Sequence, residues 1–113
     1  MDGVGGPGIG VGMDIRTEGP TLVLCGDFDG RSTSQVRSAI EARLATPDEH
    51  EIVVDLTEVR SIDVPALRVL AYASHSASRT GHLVRLRGCN AQVIRMLLLT
   101  RLMRFVEVDR PAA

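Results

Sequence analysis

Between Asp14 and Val108 the chain alternates short β-branched or leucine-rich runs with longer stretches in which apolar residues recur every three or four positions. Ile15 and the run Thr21-Leu22-Val23-Leu24-Cys25 flank Glu18-Gly19-Pro20, which predicts two short strands joined by a tight turn. Ser32 to Ala45 sets Val36, Ala39, Ile40 and Leu44 on one helical stripe, with Ser32 or Thr33 as N-cap and Pro47 beyond the end. Glu51 to Leu56 is short, β-branched and mostly apolar, as expected of a strand buried on both faces. Asp63 is placed to cap a second helix, with Pro65 in its first turn, where a missing N–H costs nothing, and Gly81 closing it. His82 to Arg87 reads as a strand, Asn90 as the cap of a third helix over 91–102, and Phe105 to Val108 as a last short strand.

The order β-β-α-β-α-β-α-β predicts an α/β fold: a mostly parallel sheet of about five strands with three to four helices and one antiparallel strand at the start. Val36, Ile40, Leu44, Val53, Leu70 and Val84 are the expected core. Residues 1–12 hold six of the eleven glycines and no amphipathic period, so they read as a flexible tail before a domain over 13–110. Gly3, Gly5 and Gly8 match GxGxxG, but no strand precedes them and no helix follows, so a dinucleotide site is not expected.

Length and composition narrow the function. At 113 residues there is room for one core. The formal net charge is −1, and all 13 basic residues are Arg, which reads as a compositional bias of the source genome. Near-neutrality gives no global drive toward nucleic acid or anionic lipid. With Phe28, Tyr72 and Phe105 the only aromatics, a base-stacking platform is not expected. A basic patch could be drawn through Arg85, Arg87, Arg95, Arg101 and Arg104, but a mixed, solvated surface is the expected outcome. Cys25 and Cys89 suit neither a disulfide framework nor a zinc set. Cys25 is expected to be a small buried apolar side chain, and Cys89, before a helix, to have a lowered pKa if exposed. No apolar stretch reaches the length of a membrane span, and no basic n-region opens the chain, so a cytoplasmic protein is expected. His50, His75 and His82 form no triad with a nucleophile and are expected at the surface.

The segment Ile52 to Val69, IVVDLTEVRSIDVPALRV, resembles the central strand, loop and helix of the STAS domain, the family of anti-sigma factor antagonists. Gly26-Asp27-Phe28-Asp29 is similar to the Gly-Glu-Leu-Asp after that family's second strand, Asn90 to Leu102 to its last helix, and Phe105 to Val108 to its closing strand. The resemblance covers residues 13–109 and implies a non-enzymatic binding protein without a cofactor. It also implies a partner: an anti-sigma factor of the histidine-kinase-like ATPase type, whose capture frees a sigma factor. The implied docking surface combines Asp27, Asp29, Arg31 and Ser32 with Arg60, Ser61 and Ile62, and with Asp63, Val64, Pro65 and Arg68. Val64 stands where the family carries its phosphorylatable serine, so the usual phosphoryl switch is not expected here.

The residues themselves have plainer readings. Asp63 is expected to cap its helix, Asp27 and Asp29 to form an acidic loop short of a metal site, and Ser61 to be a loop hydroxyl bonded to nearby backbone. Ser61, Ser32 and Ser34 are conceivable substitute phosphosites. The third helix is apolar around more of its circumference than a core stripe needs, so either it is deeply buried or one side is an interface, such as that of a homodimer. An alternative resemblance is to STAS subunits of ABC-type lipid transport complexes, which bind the ATPase subunit. A nucleotide hydrolase is disfavoured because the sequence has no GxxxxGK[ST] loop.

Overall fold

The computed structural model describes residues 13–109; the expected tail and its GxGxxG match lie outside them. Five strands form one sheet in the order β1-β2-β3-β4-β5. They are β1 (Met13–Glu18), β2 (Thr21–Phe28), β3 (Glu51–Ile62), β4 (Leu83–Arg87) and β5 (Glu107–Val108). β1 and β2 make an antiparallel hairpin, and every later pairing is parallel. The helices are α1 (Thr33–Leu44), α2 (Val64–Ser78) and α3 (Ala91–Leu99), with a 3-10 turn at Leu102–Phe105. The expected fold class is therefore the observed one.

The three helices cover one face of the sheet. Leu22 and Leu24 of β2, Ile52, Val54 and Leu56 of β3 and Val84 and Leu86 of β4 share that face and are buried with Val36, Ile40, Leu67, Leu70 and Leu97 in one core. The expectation that β3 is buried on both faces is wrong: Val53 is only half-buried, because no helix among the described residues covers the other side. Leu44, at the last turn of α1, is likewise half-buried rather than core. Val23, in register between Arg16 and Asp55, is buried on the open side all the same.

That open side is laced with ion pairs. Arg16 reaches Glu18 at 3.0 Å and Glu58 at 3.2 Å, Arg85 reaches Glu51 at 2.9 Å, and Arg87 reaches Asp55 at 3.2 Å. Exposed pairs of this kind contribute little stability singly, but they neutralise the basic side chains of β1 and β4. Burial alone would push the Asp55 carboxyl up, yet donors from Thr57 and Arg87 outweigh it and hold it below the ordinary range.

Two ends differ from the sequence reading. β3 runs six residues past Leu56, with two register shifts against β2, between Val23 and Cys25 and between Gly26 and Asp27. At the first shift the Asp55 carboxylate accepts from the Thr57 amide at 2.9 Å, which satisfies a backbone group displaced from the ladder. α3 ends at Leu99 rather than Leu102: the Thr100 hydroxyl takes the Met96 carbonyl, and Arg101 turns left-handed at φ 62°. The chain then turns back as a 3-10 turn that buries Leu102 and sets Phe105 edge-on to Tyr72, so β5 is two residues long.

Candidate functional site

The second strand, the extended end of β3 and the start of α2 meet at one edge of the molecule, and Asp63 ties them together. One carboxylate oxygen accepts from the Ala66 amide at 2.9 Å, the helix cap expected from sequence. The other accepts from the Gly30 amide at 3.3 Å, across 33 residues of chain. The Asp63 amide in turn donates to the Phe28 carbonyl at 3.3 Å. Phe28 is fully buried beneath this junction, so the loop after β2 is held both from below and from the side.

Asp27 and Asp29 are each neutralised by neighbours rather than free to form an acidic pair. Asp27 accepts from the Ser61 hydroxyl at 3.0 Å and from Arg60 at 3.4 Å. Asp29 takes the Arg31 guanidinium at 2.7 Å and the Arg31 amide at 2.9 Å, and these bonds hold its carboxyl below the usual carboxylate range. No group of side chains suited to hold a metal ion occurs among the described residues.

The structure places the expected surface residues unevenly. Arg31, Arg60, Ser61, Pro65 and Arg68 are exposed, while Asp27, Asp29, Ile62, Asp63 and Val64 are half-buried. Ser32 does not fit a surface role, being 4% exposed. Its hydroxyl donates to the Asp27 carbonyl at 3.3 Å instead of capping α1, so it supports the loop from inside. Ser61 also differs from its reading, since it lies in β3 rather than a loop and bonds a carboxylate rather than backbone. Val64 occupies the first position of α2.

Two contributors, Gly30 and Gln92, were not singled out in the sequence. Gly30 supplies the amide that Asp63 holds, and Gln92 of α3, next to the Asn90 cap, lines a small cleft of about 90 Å³ with Val59, Arg60, Ser61 and Ile62. Neither Gly30 nor Gln92 carries a local signal, because each meets residues distant in the chain.

The cysteines lie elsewhere. Cys25 is on the open face, half-buried, 3.4 Å from Glu58 and 3.6 Å from Arg16, so it is not the buried apolar side chain expected. Partial burial and the Glu58 carboxylate push its thiol up. Burial pushes Cys89 up to about 11, the opposite of the lowering that an exposed thiol before a helix would show. Both cysteines are free; Cys25 lies within β2 and Cys89 two residues after β4, and β3 stands between those strands.

A family model described as "Mlab, STAS domain" matches residues 11–107. The chain belongs to the STAS domain family. No curated protein matches the sequence. Among solved structures, a Thermotoga maritima protein assigned as an anti-sigma factor antagonist superposes with a TM-score of 0.68 at 22% identity, over 88% of this chain and 86% of that one. The Bacillus anti-sigma factor antagonist SpoIIAA, in its unphosphorylated form, gives 0.62 at 10% identity over 89% and 90%. A sulfate transporter family protein from Wolinella succinogenes gives 0.60 at 16% identity over 78% and 73%. At these identities the likeness is one of fold, and this STAS domain shares that fold with both regulators and a transporter family protein. No helix among the described residues is long and apolar enough to cross a membrane.

Proposed function

We propose that this STAS domain is a non-enzymatic, anti-sigma factor antagonist-like protein that regulates transcription indirectly by partner switching in the cytoplasm. Its partner is an anti-sigma factor of the histidine-kinase-like ATPase type, and the mechanism is competition for a shared surface, which needs no catalytic residue. The observation that carries the reading is the pair of hydrogen bonds that the Asp63 carboxylate accepts. By holding Ala66 and Gly30 at once, it joins the Asp27–Arg31 loop, Arg60–Ile62 and Asp63–Arg68 into one preorganised patch, which lowers the ordering cost of docking.

Val64 is the specific departure. Phosphorylation at the start of α2 would add a charge of about −1.5 to −2, and a valine cannot accept it, so binding is independent of phosphoryl transfer at this position. The test is a titration of the anti-sigma factor with wild type, Val64→Asp and Val64→Ser at matched folding stability. Val64→Asp is expected to weaken binding at least about tenfold by placing a charge in the interface, with Val64→Ser close to wild type. Equal binding by all three would remove the start of α2 from the interface.

A second reading, a STAS subunit bound to the ATPase of an ABC-type lipid transport complex, is favoured by one observation: Leu98 and Leu99 protrude from α3, as suits a permanent assembly. Affinity capture and mass spectrometry separate the two, recovering either a sigma regulator or a transporter ATPase.

A further inference from the structure

The outer side of α3 carries chemistry that neither the core nor the Asp63 patch uses. Val93 and Leu97 turn inward and are buried, while Ile94 and Met96 are half-buried. Helical geometry then puts Ala91, Arg95, Leu98 and Leu99 on the opposite side, with Arg95 between the two leucines. Leu98 is 59% and Leu99 77% exposed. A single exposed leucine needs no explanation. Two on one side of a helix, flanking Arg95 beside a surface hollow lined by Ala91, Gln92, Arg95, Met96 and Leu99, make an exposed apolar surface of the kind that marks an interaction site.

Charge selects the occupant. From Asn90 to Val106 the sequence contains Arg95, Arg101 and Arg104 and no Asp or Glu. All three are exposed. Among the described residues none of them forms an ion pair, as is also so of Arg37, Arg68 and Arg79, whereas Arg16, Arg31, Arg43, Arg60, Arg85 and Arg87 each sit beside a carboxylate. Arg104 lies over the Phe105 ring instead, 4.9 Å from its centroid. The outer side of α3 thus sets Arg95 between two exposed leucines, and Arg101 and Arg104 follow it in the sequence with no acidic residue among them, in a chain whose net charge is −1.

We propose that the outer side of α3 docks an acidic amphipathic helix of another protein. Apolar side chains of that helix pack over Ala91 and against Leu98 and Leu99, and its carboxylates meet Arg95, Arg101 and Arg104. A second copy of this chain fits poorly, because a two-fold pairing of α3 sets these unpaired arginines against their like. A lipid surface fits poorly as well, since a nine-residue helix with two protruding leucines lacks the broad apolar face of an interfacial helix. Gln92 lines both this hollow and the cleft beside Arg60–Ile62, so the two surfaces adjoin. The α3 proposal does not depend on which partner the Asp63 patch takes.

The probe is a synthetic helical peptide of about 18 residues with a leucine stripe at helical spacing flanked by Glu, and its control replaces each Glu with Lys. Both are titrated against the full chain and followed by amide chemical shifts. The Glu peptide is expected to shift Ala91, Arg95, Leu98 and Leu99, and to bind at least about tenfold more tightly than the Lys peptide. Arg95→Glu, and separately Leu98→Ser with Leu99→Ser, are each expected to weaken it about tenfold while leaving the thermal midpoint nearly unchanged, because these side chains are solvent-facing. Failure of the Glu peptide to bind, equal binding of both peptides, or shifts centred elsewhere would overturn the proposal. Tighter binding to phosphatidylglycerol vesicles than to the Glu peptide, or self-association abolished by the leucine variants, would assign the patch to lipid or to a second copy and overturn it too.

Discussion

Asp63→Ala removes both bonds of the residue that joins the α2 start to the β2 loop. The Ala66 bond, at 2.9 Å and partly buried, is an ordinary N-cap and contributes about 1 kcal/mol. The Gly30 bond, at 3.3 Å and exposed, belongs at the lower end of the range for a neutral donor, about 0.5 kcal/mol. Their sum, about 1.5 kcal/mol, corresponds to a fall in thermal midpoint of roughly 6–12 °C for a domain of this size. Asp63→Asn separates the two. An amide oxygen still accepts from Ala66, but the amide nitrogen cannot accept from Gly30, so the expected loss is only about 0.5 kcal/mol. Urea unfolding gives the stabilities, and amide hydrogen exchange gives the individual bonds. Gly30 should lose protection in both variants, and Ala66 only in Asp63→Ala. If Asn proves as destabilising as Ala, or if the Gly30 amide exchanges at the same rate in all three proteins, Asp63 does not bridge the two segments and the preorganised patch loses its basis.

Gly88 adopts φ +76°, and a Cβ there would lie 2.1 Å from Thr57 Oγ1 and 2.8 Å from the Thr57 amide nitrogen. Gly88→Ala therefore meets both a left-handed backbone and a backbone clash, and is expected to cost about 2–3 kcal/mol in urea unfolding; a loss under about 0.5 kcal/mol would contradict the close approach of β4 to the first irregularity of β3. Cys89, pushed from 9.0 up to about 11, should hold roughly 100-fold less thiolate at pH 8 than an ordinary thiol. Alkylation at Cys89 should accordingly be slow and should climb as pH rises through about 11. Because its folded pKa lies above the unfolded value, the stability this thiol contributes is present below pH 9 and declines as pH rises from 9.0 toward 11. A fast-reacting Cys89 in folded protein at pH 8 would refute the burial assignment.

Features set by neighbours a few positions apart were legible in the sequence. The hairpin at Gly19-Pro20, the caps at Asp63 and Asn90 and the order of strands and helices all follow from local periodicity and turn chemistry, and all stand in the structure. The STAS family is legible for the same reason, since its motifs are runs of adjacent residues. What the tertiary structure decided involves residues far apart. That β3 has a covered and an open face, leaving Val53 half-buried, depends on where the helices pack, and an apolar run reads the same in either case. Cys25 lost its apolar role because pairing with β1 and β3 brought Arg16 and Glu58 to it. Ser32 kept its place before α1 but turned its hydroxyl to Asp27, and the second oxygen of Asp63 found Gly30 across 33 residues. The surplus apolar side of α3 stayed outside because the left-handed turn at Arg101 ends the helix early and sends Leu102, rather than Leu98 or Leu99, into the core. Hydrogen bonds and burial between segments remote in sequence carry no period or spacing along the chain, so only the assembled sheet determines them.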